Sequence, residues 1–152
     1  MEEFLVRAAT SEDLKTLLKF EQGVILAERP FDTTLAEDPI TYYDLDELIH
    51  SEDAQVIVVT YDTKIVASGY ALKKRARPYL DHEFYSYLGF MYTHPDYRGK
   101  GLNALVIKEL KIWSTEKGLN EIRLTVYDGN MPAIKAYEKI GFRKHIIEMR
   151  LA

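Results

Sequence analysis

The stretch that most constrains the fold of this chain lies between residues 84 and 118, where a strand pattern gives way to a helix pattern. Aromatic and β-branched residues dominate Phe84–Thr93 and no charged side chain interrupts them, so this segment is predicted to be a strand. From Leu102 to about Gly118, apolar residues recur at helical spacing, which predicts a helix. The junction at residues 98–101 carries two glycines and two basic side chains. Because free N–H groups and the positive end of the helix dipole meet there, the junction is predicted to bind phosphate.

The sequence Arg98-Gly99-Lys100-Gly101-Leu102-Asn103 resembles the Arg/Gln-x-x-Gly-x-Gly/Ala pyrophosphate loop of the GNAT superfamily of acyl-CoA-dependent N-acetyltransferases. One position departs from that pattern, because Asn103 stands where the family has Gly or Ala. The resemblance implies acetyl-CoA as cosubstrate and no metal. The residues that it implies for CoA binding are Met91, Tyr92, Thr93, Arg98, Gly99, Lys100, Gly101, Leu102, Asn103, Ala104, Asn130 and Tyr137.

A second segment also resembles the family. Asn130, Ala133, Tyr137 and Gly141-Phe142 are spaced like its C-terminal signature and follow the loop in the family's order. Asn130 is also a plausible helix N-cap. Two helical turns separate Asn130 from Tyr137, so both lie on one face of a helix. The resemblance implies that Asn130 contacts the cofactor and that the Tyr137 hydroxyl points at its sulfur.

The same glycines satisfy another pattern. Residues 99–104 fit G-x-G-x-x-A, the fingerprint of dinucleotide-binding domains. That alternative, an NAD-type oxidoreductase, requires the glycines directly at the end of a strand and a series of βαβ units after them. Here Pro95 and a polar loop intervene, and too little chain follows to build such a domain.

Composition narrows the class of protein. A chain of 152 residues is predicted to form a single domain, residues 1–152. The formal net charge of −4 argues against nucleic acid as a partner, and no apolar run is long enough to span a membrane. With no cysteine, the chain has no thiolate nucleophile and no disulfide, which fits a cytoplasmic location. The four histidines show no metal-ligand spacing.

The remaining elements complete an α/β fold. The resemblance implies a mostly antiparallel twisted sheet, with a splay between strands 4 and 5 and helices on both faces. An isolated glycine, Gly89, indicates a bulge or a close backbone approach in the strand before the loop. The patterns predict an opening strand at 3–10, a helix that buries Leu14, Leu17 and Leu18, a helix capped by Thr41, a hairpin turning at Asp62-Thr63, and strands at 121–127 and 142–151.

The implied chemistry is direct attack of an amine on a thioester. Backbone N–H groups near Met91–Thr93 would polarise the carbonyl, and Tyr137 would protonate the departing thiolate as general acid. In some relatives a glutamate that acts as general base stands at the position of Thr125 or of Tyr87 in this chain. Glu83 lies on the same strand face as Tyr87 and is the candidate general base, acting directly or through water, or else a solvent-facing carboxylate.

The sequence is compatible with two functions. The first is an acetyl-CoA-dependent N-acetyltransferase acting on a primary amine of a small molecule, polyamine, peptide or protein. The alternative is a non-catalytic acyl-CoA-binding sensor of the same fold. Residues 28–53 contain nine acids and one base, which indicates either a solvated surface or a rim that attracts a cationic acceptor. Relatives often dimerise, so a homodimer is a further expectation.

Overall fold

The computed structural model describes residues 3–152, in which five strands form one sheet in the order β1-β2-β3-β4-β5. The first four strands are antiparallel neighbours, and β5 pairs with β4 in parallel. The strands are β1 Phe4–Ala8, β2 Ala54–Tyr61, β3 Lys64–Arg75, β4 Phe84–Thr93 and β5 Ile122–Leu124. The α-helices are α1 Leu14–Glu28, α2 Leu45–His50, α3 Leu102–Glu116 and α4 Met131–Ile140. The predicted fold class is confirmed.

The sheet is covered on both faces because its central strands are apolar on both. Side chains alternate across a strand, so Val56 and Val58 of β2 face one side while Ile57 and Val59 face the other. The first pair packs with α1 and α2, through residues such as Leu17. The second pair packs with α3, and Tyr137 of α4 lies against that same core. Leu18, expected in the core, is 44% exposed.

The hairpin between β2 and β3 forms as predicted. Asp62 and Thr63 both have positive φ, at 48° and 67°. Two central residues of this kind make the turn whose twist matches that of the paired strands. The hairpin thereby aligns β2 and β3 in the middle of the sheet.

The bulge expected near Gly89 lies immediately after it. Tyr70 pairs with Gly89 and Ser68 with Tyr92, so two residues of β4, Phe90 and Met91, face one residue of β3. Phe90 has a φ of +58°. Gly89 itself permits a close approach, because a Cβ atom there would lie 2.6 Å from the Tyr70 ring. The bulge bends β4 at the position where its pairing with β5 stops.

The pairing of β4 with β5 covers Ser86–Leu88 alone. Beyond Leu88 the two strands separate, which is the splay that the family resemblance implied. The fifth strand is therefore shorter than the predicted 121–127, because β4 has bent away from the residues that follow Leu124.

The predicted start of one helix and one predicted strand are wrong. The second helix begins at Leu45 with Asp44 as its N-cap, because the carboxylate of Glu21 holds the preceding backbone N–H groups of Tyr42 and Tyr43 outside a helix. Residues 142–151 form no strand of this sheet, since the short β5 offers little edge beside which they could pair. Within residues 3–152, none of the helices is long and apolar enough to cross a membrane.

Candidate active site

The loop at residues 98–101, the phosphate loop, joins β4 to α3 through a single turn of 3-10 helix at Pro95–Tyr97. Gly99 and Gly101 have φ values of +78° and +76°, a conformation that disfavours any residue with a Cβ atom. Open space lies in front of both glycines, with no atom within 4 Å of where a Cβ would stand. The loop can therefore bring its backbone against a bulky anion.

The N-terminus of α3 is anchored beneath this loop. Gly101 is the N-cap residue, Leu102 is buried against the sheet, and Ala104 is exposed. Asn103, which departs from the family pattern, is partly exposed, so its side chain has room. Backbone N–H groups in the first turn of a helix lack intrahelical partners and carry partial positive charge. The arrangement can bind a phosphate, and Arg98 and Lys100 add cationic side chains beside it.

The second half of β4 runs from the cavity to the loop. Met91, Tyr92 and Thr93 lie beyond the last residue that pairs with β5, and on their other side they follow β3. The carbonyl of Thr93 accepts a hydrogen bond from Nε of Arg98 at 3.2 Å, which ties the loop to the strand. Because the edge towards β5 is open there, backbone groups of this half-strand can bind a ligand.

A cavity of about 350 Å³ opens where β4 and β5 separate. Six tyrosines contribute to its wall, and we call it the tyrosine cavity. They are Tyr42, Tyr43, Tyr70, Tyr87, Tyr127 and Tyr137. Leu88–Met91 of β4 and Leu124–Thr125 at the end of the β4–β5 ladder complete the wall beside Val24 and Glu28 of α1. The point of strand separation thus forms a pocket that can hold part of a ligand.

Tyr137 enters this cavity from α4. Burial raises the pKa of its hydroxyl to about 12, and the negative charge of Glu28 adds to the effect. A hydroxyl with this pKa stays protonated at neutral pH, so it can donate a hydrogen bond or a proton but cannot serve as a base. Asn130 caps the same helix as predicted, since its Oδ1 accepts a hydrogen bond from the N–H of Ala133 at 3.4 Å.

The structure places Glu83 outside the wall of the tyrosine cavity. Glu83 lies before the first residue of β4, is exposed, and forms an ion pair with Arg75 at 3.3 Å. It does not contribute to the wall of the tyrosine cavity, whereas Tyr87 and Thr125 do. Two histidines near the ends of β4 have local partners: His82 contacts Asp81 at 2.8 Å, and His94 accepts a hydrogen bond from the N–H of Asp96 at 3.1 Å.

Comparison with known proteins gives the family. The model of the acetyltransferase (GNAT) family matches residues 22–142, which is most of the chain. The chain belongs to the GNAT acetyltransferase family. This confirms the family predicted from the two motifs.

Relatives of known name are acetyltransferases with different acceptors. Thialysine N-epsilon-acetyltransferase of Sus scrofa is 37% identical over 57 residues, 38% of this chain and 34% of that protein. The matched part therefore spans about a third of the length of such curated relatives.

Solved structures extend the likeness to the whole fold. A predicted acetyltransferase of Clostridium acetobutylicum, solved with acetyl-CoA, has a TM-score of 0.74 at 19% identity, covering 99% of this chain and 96% of that one. AAC(6')-Iy in complex with the bisubstrate analog CoA-S-monomethyl-acetylneamine also has a TM-score of 0.74, at 16% identity and with 99% of both chains covered. At such identities the likeness establishes the acetyltransferase fold.

Sequence reasoning missed Glu28 as an individual residue of this candidate site, since it counted among the many acids of residues 28–53. The last residue of α1, it lies in the wall of the tyrosine cavity. A signal did exist: Leu17, Glu21, Val24 and Glu28 recur at the helical spacing of a buried face. Carboxylates on such a stripe are rare unless they are partnered.

Glu21, on the same buried face of α1, supports the cavity wall without lining the cavity. Its side chain is fully buried, and one carboxylate oxygen accepts hydrogen bonds from the N–H groups of Tyr42 and Tyr43, at 2.8 Å and 2.7 Å. These bonds join α1 to the segment before α2. Glu21 thereby fixes the position of two tyrosines in the cavity wall, although it does not reach the cavity itself.

Proposed function

We propose that this protein transfers the acetyl group of acetyl-CoA to a primary amine within a ternary complex. The observation that carries the proposal is the convergence, in one cavity, of a buried tyrosine hydroxyl, the open half of β4 and a carboxylate. An N-acetyltransferase needs an acid for the leaving thiolate, a polarising donor for the carbonyl, and a group that handles the ammonium.

The CoA site of this proposal consists of the phosphate loop, the start of α3 and the open half of β4. The pyrophosphate would meet the backbone of residues 98–104, and the pantetheine arm would pair with Met91–Thr93. The positive φ of Gly99 and Gly101 and the open space before them fit an anion that must approach the backbone. Asn130 and Tyr137 would face the thioester end from α4.

The chemistry divides among the residues of the cavity. Acetyl-CoA supplies an activated acetyl thioester. A backbone N–H of the Met91–Thr93 segment donates to the carbonyl oxygen on which negative charge develops. As the C–S bond breaks, Tyr137 donates a proton to the departing sulfur, and the proton that the attacking nitrogen loses to become an amide restores the Tyr137 hydroxyl. Glu83 lies outside the cavity wall, so the base of this proposal is drawn from within the cavity instead.

The acceptor that these features support is a primary amine. The relatives named above are acetyltransferases of thialysine and, by the analog in its complex, of an aminoglycoside-derived amine. Their acceptors share an amine and little else. We therefore extend only the amine to this protein, and leave the rest of the acceptor to the test.

Ligand-induced stabilisation tests the CoA site first. Acetyl-CoA and CoA should both raise the melting temperature, and NAD should not, because a ligand that binds only the folded state stabilises it by mass action. No shift with either CoA compound would refute the site. Turnover of acetyl-CoA with a panel of primary amines, followed as thiol release, then separates an enzyme from a non-catalytic acyl-CoA sensor.

We further propose that residues 1–152 act as one domain and pair as a homodimer. Within residues 142–152, four apolar side chains are largely exposed: Ile146, Ile147, Met149 and Leu151. Exposed apolar side chains grouped in this way can pack against the same segment of a second copy. Light scattering should give twice the chain mass, and Ile147→Asp should halve it. A monomeric wild type would contradict the dimer.

A further inference from the structure

Glu28 is the one charged side chain among the described residues that form the tyrosine cavity. The rest of the wall is six tyrosines, Phe90, Met91, aliphatic side chains, a threonine and Gly89. Tyrosine rings attract cations through their faces, and a carboxylate adds a formal counter-charge. A cavity of this composition favours a small aliphatic ammonium group over an anion or a neutral polar ligand.

The carboxylate of Glu28 lacks a cationic partner. It forms no ion pair with any residue of the described part, 3–152, although it is half-buried at the end of α1. Burial raises its pKa, and the charge of nearby Asp32 acts in the same direction. Half-buried charges are usually paired. A ligand ammonium would supply the charge that the protein itself does not.

The hydroxyl of Tyr42 lies near the carboxylate of Glu28. This oxygen is buried and has no partner of hydrogen-bond geometry among the described residues. It is nevertheless close enough to Glu28 to lower the pKa of that carboxyl against the effect of burial. Buried hydroxyls are rarely left unbonded. A ligand nitrogen between Tyr42 and Glu28 would satisfy both groups.

We propose that Glu28 binds the primary ammonium of the acceptor and takes one proton from it, so that the acceptor is an unhindered aliphatic amine. In this step an N–H bond breaks, its electron pair stays on nitrogen, and an O–H bond forms on the carboxylate. The products are a neutral amine, ready to attack the thioester, and a carboxylic acid that returns its proton to solvent. The assignment rests on the proposed acetyl transfer.

Binding at Glu28 also affects the acid. The negative charge of Glu28 is one cause of the raised pKa of Tyr137. An ammonium bound to Glu28 neutralises that charge, and so does the proton that Glu28 takes from the ammonium. Tyr137 then becomes a better proton donor only once the acceptor is in place, which couples the two ends of the reaction.

A binding experiment tests the inference without turnover. Saturation-transfer NMR on the protein with CoA bound should show contact with n-butylamine and none with 1-butanol, which differs only in the ammonium. Glu28→Gln should abolish the butylamine signal. Glu37→Gln, an exposed acid between α1 and α2 and outside the cavity wall, should keep it. Equal signals in wild type and Glu28→Gln, signals from the alcohol as well, or no butylamine signal in wild type would each overturn the inference.

Kinetics distinguish this inference from the proposed function. With an amine that the wild type acetylates, Glu28→Gln should lower kcat/KM about a hundredfold or more, as loss of a general base does, with the KM of acetyl-CoA unchanged. Glu28→Asp should recover part of the loss. Full activity in Glu28→Gln would overturn the role of Glu28 and leave the acetyltransferase intact. A wild type that acetylates no amine would instead refute the proposed function, while the NMR result would still decide the ammonium site.

Discussion

The phosphate loop and the tyrosine cavity differ in the chemical groups that they present to a ligand. The loop consists of consecutive residues, 98–101, and presents mainly backbone, shaped by two glycines with positive φ. The cavity presents side chains from α1, from the segment before α2, from β3 and β4, from the region after β5 and from α4. A backbone site can tolerate many changes of side chain around it. In a site formed by side chains, a substitution directly changes the groups that contact the ligand.

The difference assigns separate tasks to the two regions. In the proposed reaction the loop binds the part of the cosubstrate that does not react, and the cavity binds the part that does. Variants of the loop should therefore change affinity for CoA, and variants of the cavity should change the use of the amine. Tyr137 lies in the cavity wall, and its proposed role is to protonate the leaving group, so its loss should change the rate of reaction and neither affinity.

The largest effect is expected from Tyr137→Phe. Removing a general acid costs about 10²–10⁴-fold in rate. We expect kcat to fall at least about a hundredfold, while stabilisation by CoA and the KM of the amine stay close to wild type. Phe keeps the ring that packs against Phe142. A kcat within threefold of wild type would remove the acid role.

The pH profile of the wild type checks the same residue. A pKa of about 12 keeps the Tyr137 hydroxyl protonated throughout the neutral and moderately alkaline range. Deprotonation of the acid should therefore cause no loss of kcat up to about pH 10. A decline in kcat near pH 8 that Tyr137→Phe abolishes would show that the hydroxyl titrates much earlier than its burial implies.

A smaller effect is expected from Gly101→Ala. A residue with a Cβ in the left-handed conformation costs roughly 1–2 kcal/mol, so a distorted loop should weaken CoA binding about tenfold. Gly118→Ala is the matched control, since Gly118 has a φ of +74° and equally open surroundings but follows the other end of α3. It should lose similar stability and keep its affinity for CoA. Equal loss of affinity in both variants would mean that the loop has no special part in binding.

The contrast between loop and cavity also explains which features could be predicted from sequence. The loop, the hairpin turn at Asp62-Thr63 and the Asn130 cap depend on neighbouring residues, so local patterns revealed them. Glu28 and Tyr137 are more than a hundred positions apart in sequence, and no pattern of spacing joins them. Tyr137 was identified because it belongs to a family motif, whereas Glu28 belongs to none.

The helix predicted from Thr41 failed for a related reason. Its local pattern was adequate, but the carboxylate of Glu21, twenty residues earlier, takes up the N–H groups of Tyr42 and Tyr43. Tertiary contacts of this kind override local propensity. The strand expected at 142–151 had a suitable apolar pattern, but β5 ends after three residues and gives it little edge to pair with.

Glu21→Gln should act on the cavity alone. The amide keeps the shape of the side chain but replaces charge-assisted hydrogen bonds by weaker neutral ones, at a cost of about 1 kcal/mol. We expect the melting temperature to fall by about 2–4 °C and the KM of the amine to rise several-fold, with CoA affinity unchanged. Calorimetry and initial rates measure these. An unchanged amine KM in a destabilised protein would mean that Tyr42 and Tyr43 do not need this anchor for function.

The smallest effect is expected from Tyr127→Phe. The Tyr127 hydroxyl donates to Oδ2 of Asp32 at 3.0 Å, which links the cavity wall after β5 to the loop that follows α1. Losing one such bond costs about 0.5–1.5 kcal/mol, so the KM of the amine should rise about threefold. The same change at Tyr79, which is exposed and outside the cavity, should have no effect on either substrate. Tyr127→Phe should not weaken CoA binding as much as it raises the KM of the amine. An equal effect on both would contradict the separation of the two regions, because the loss of a single hydrogen bond at the cavity would then change binding at the phosphate loop.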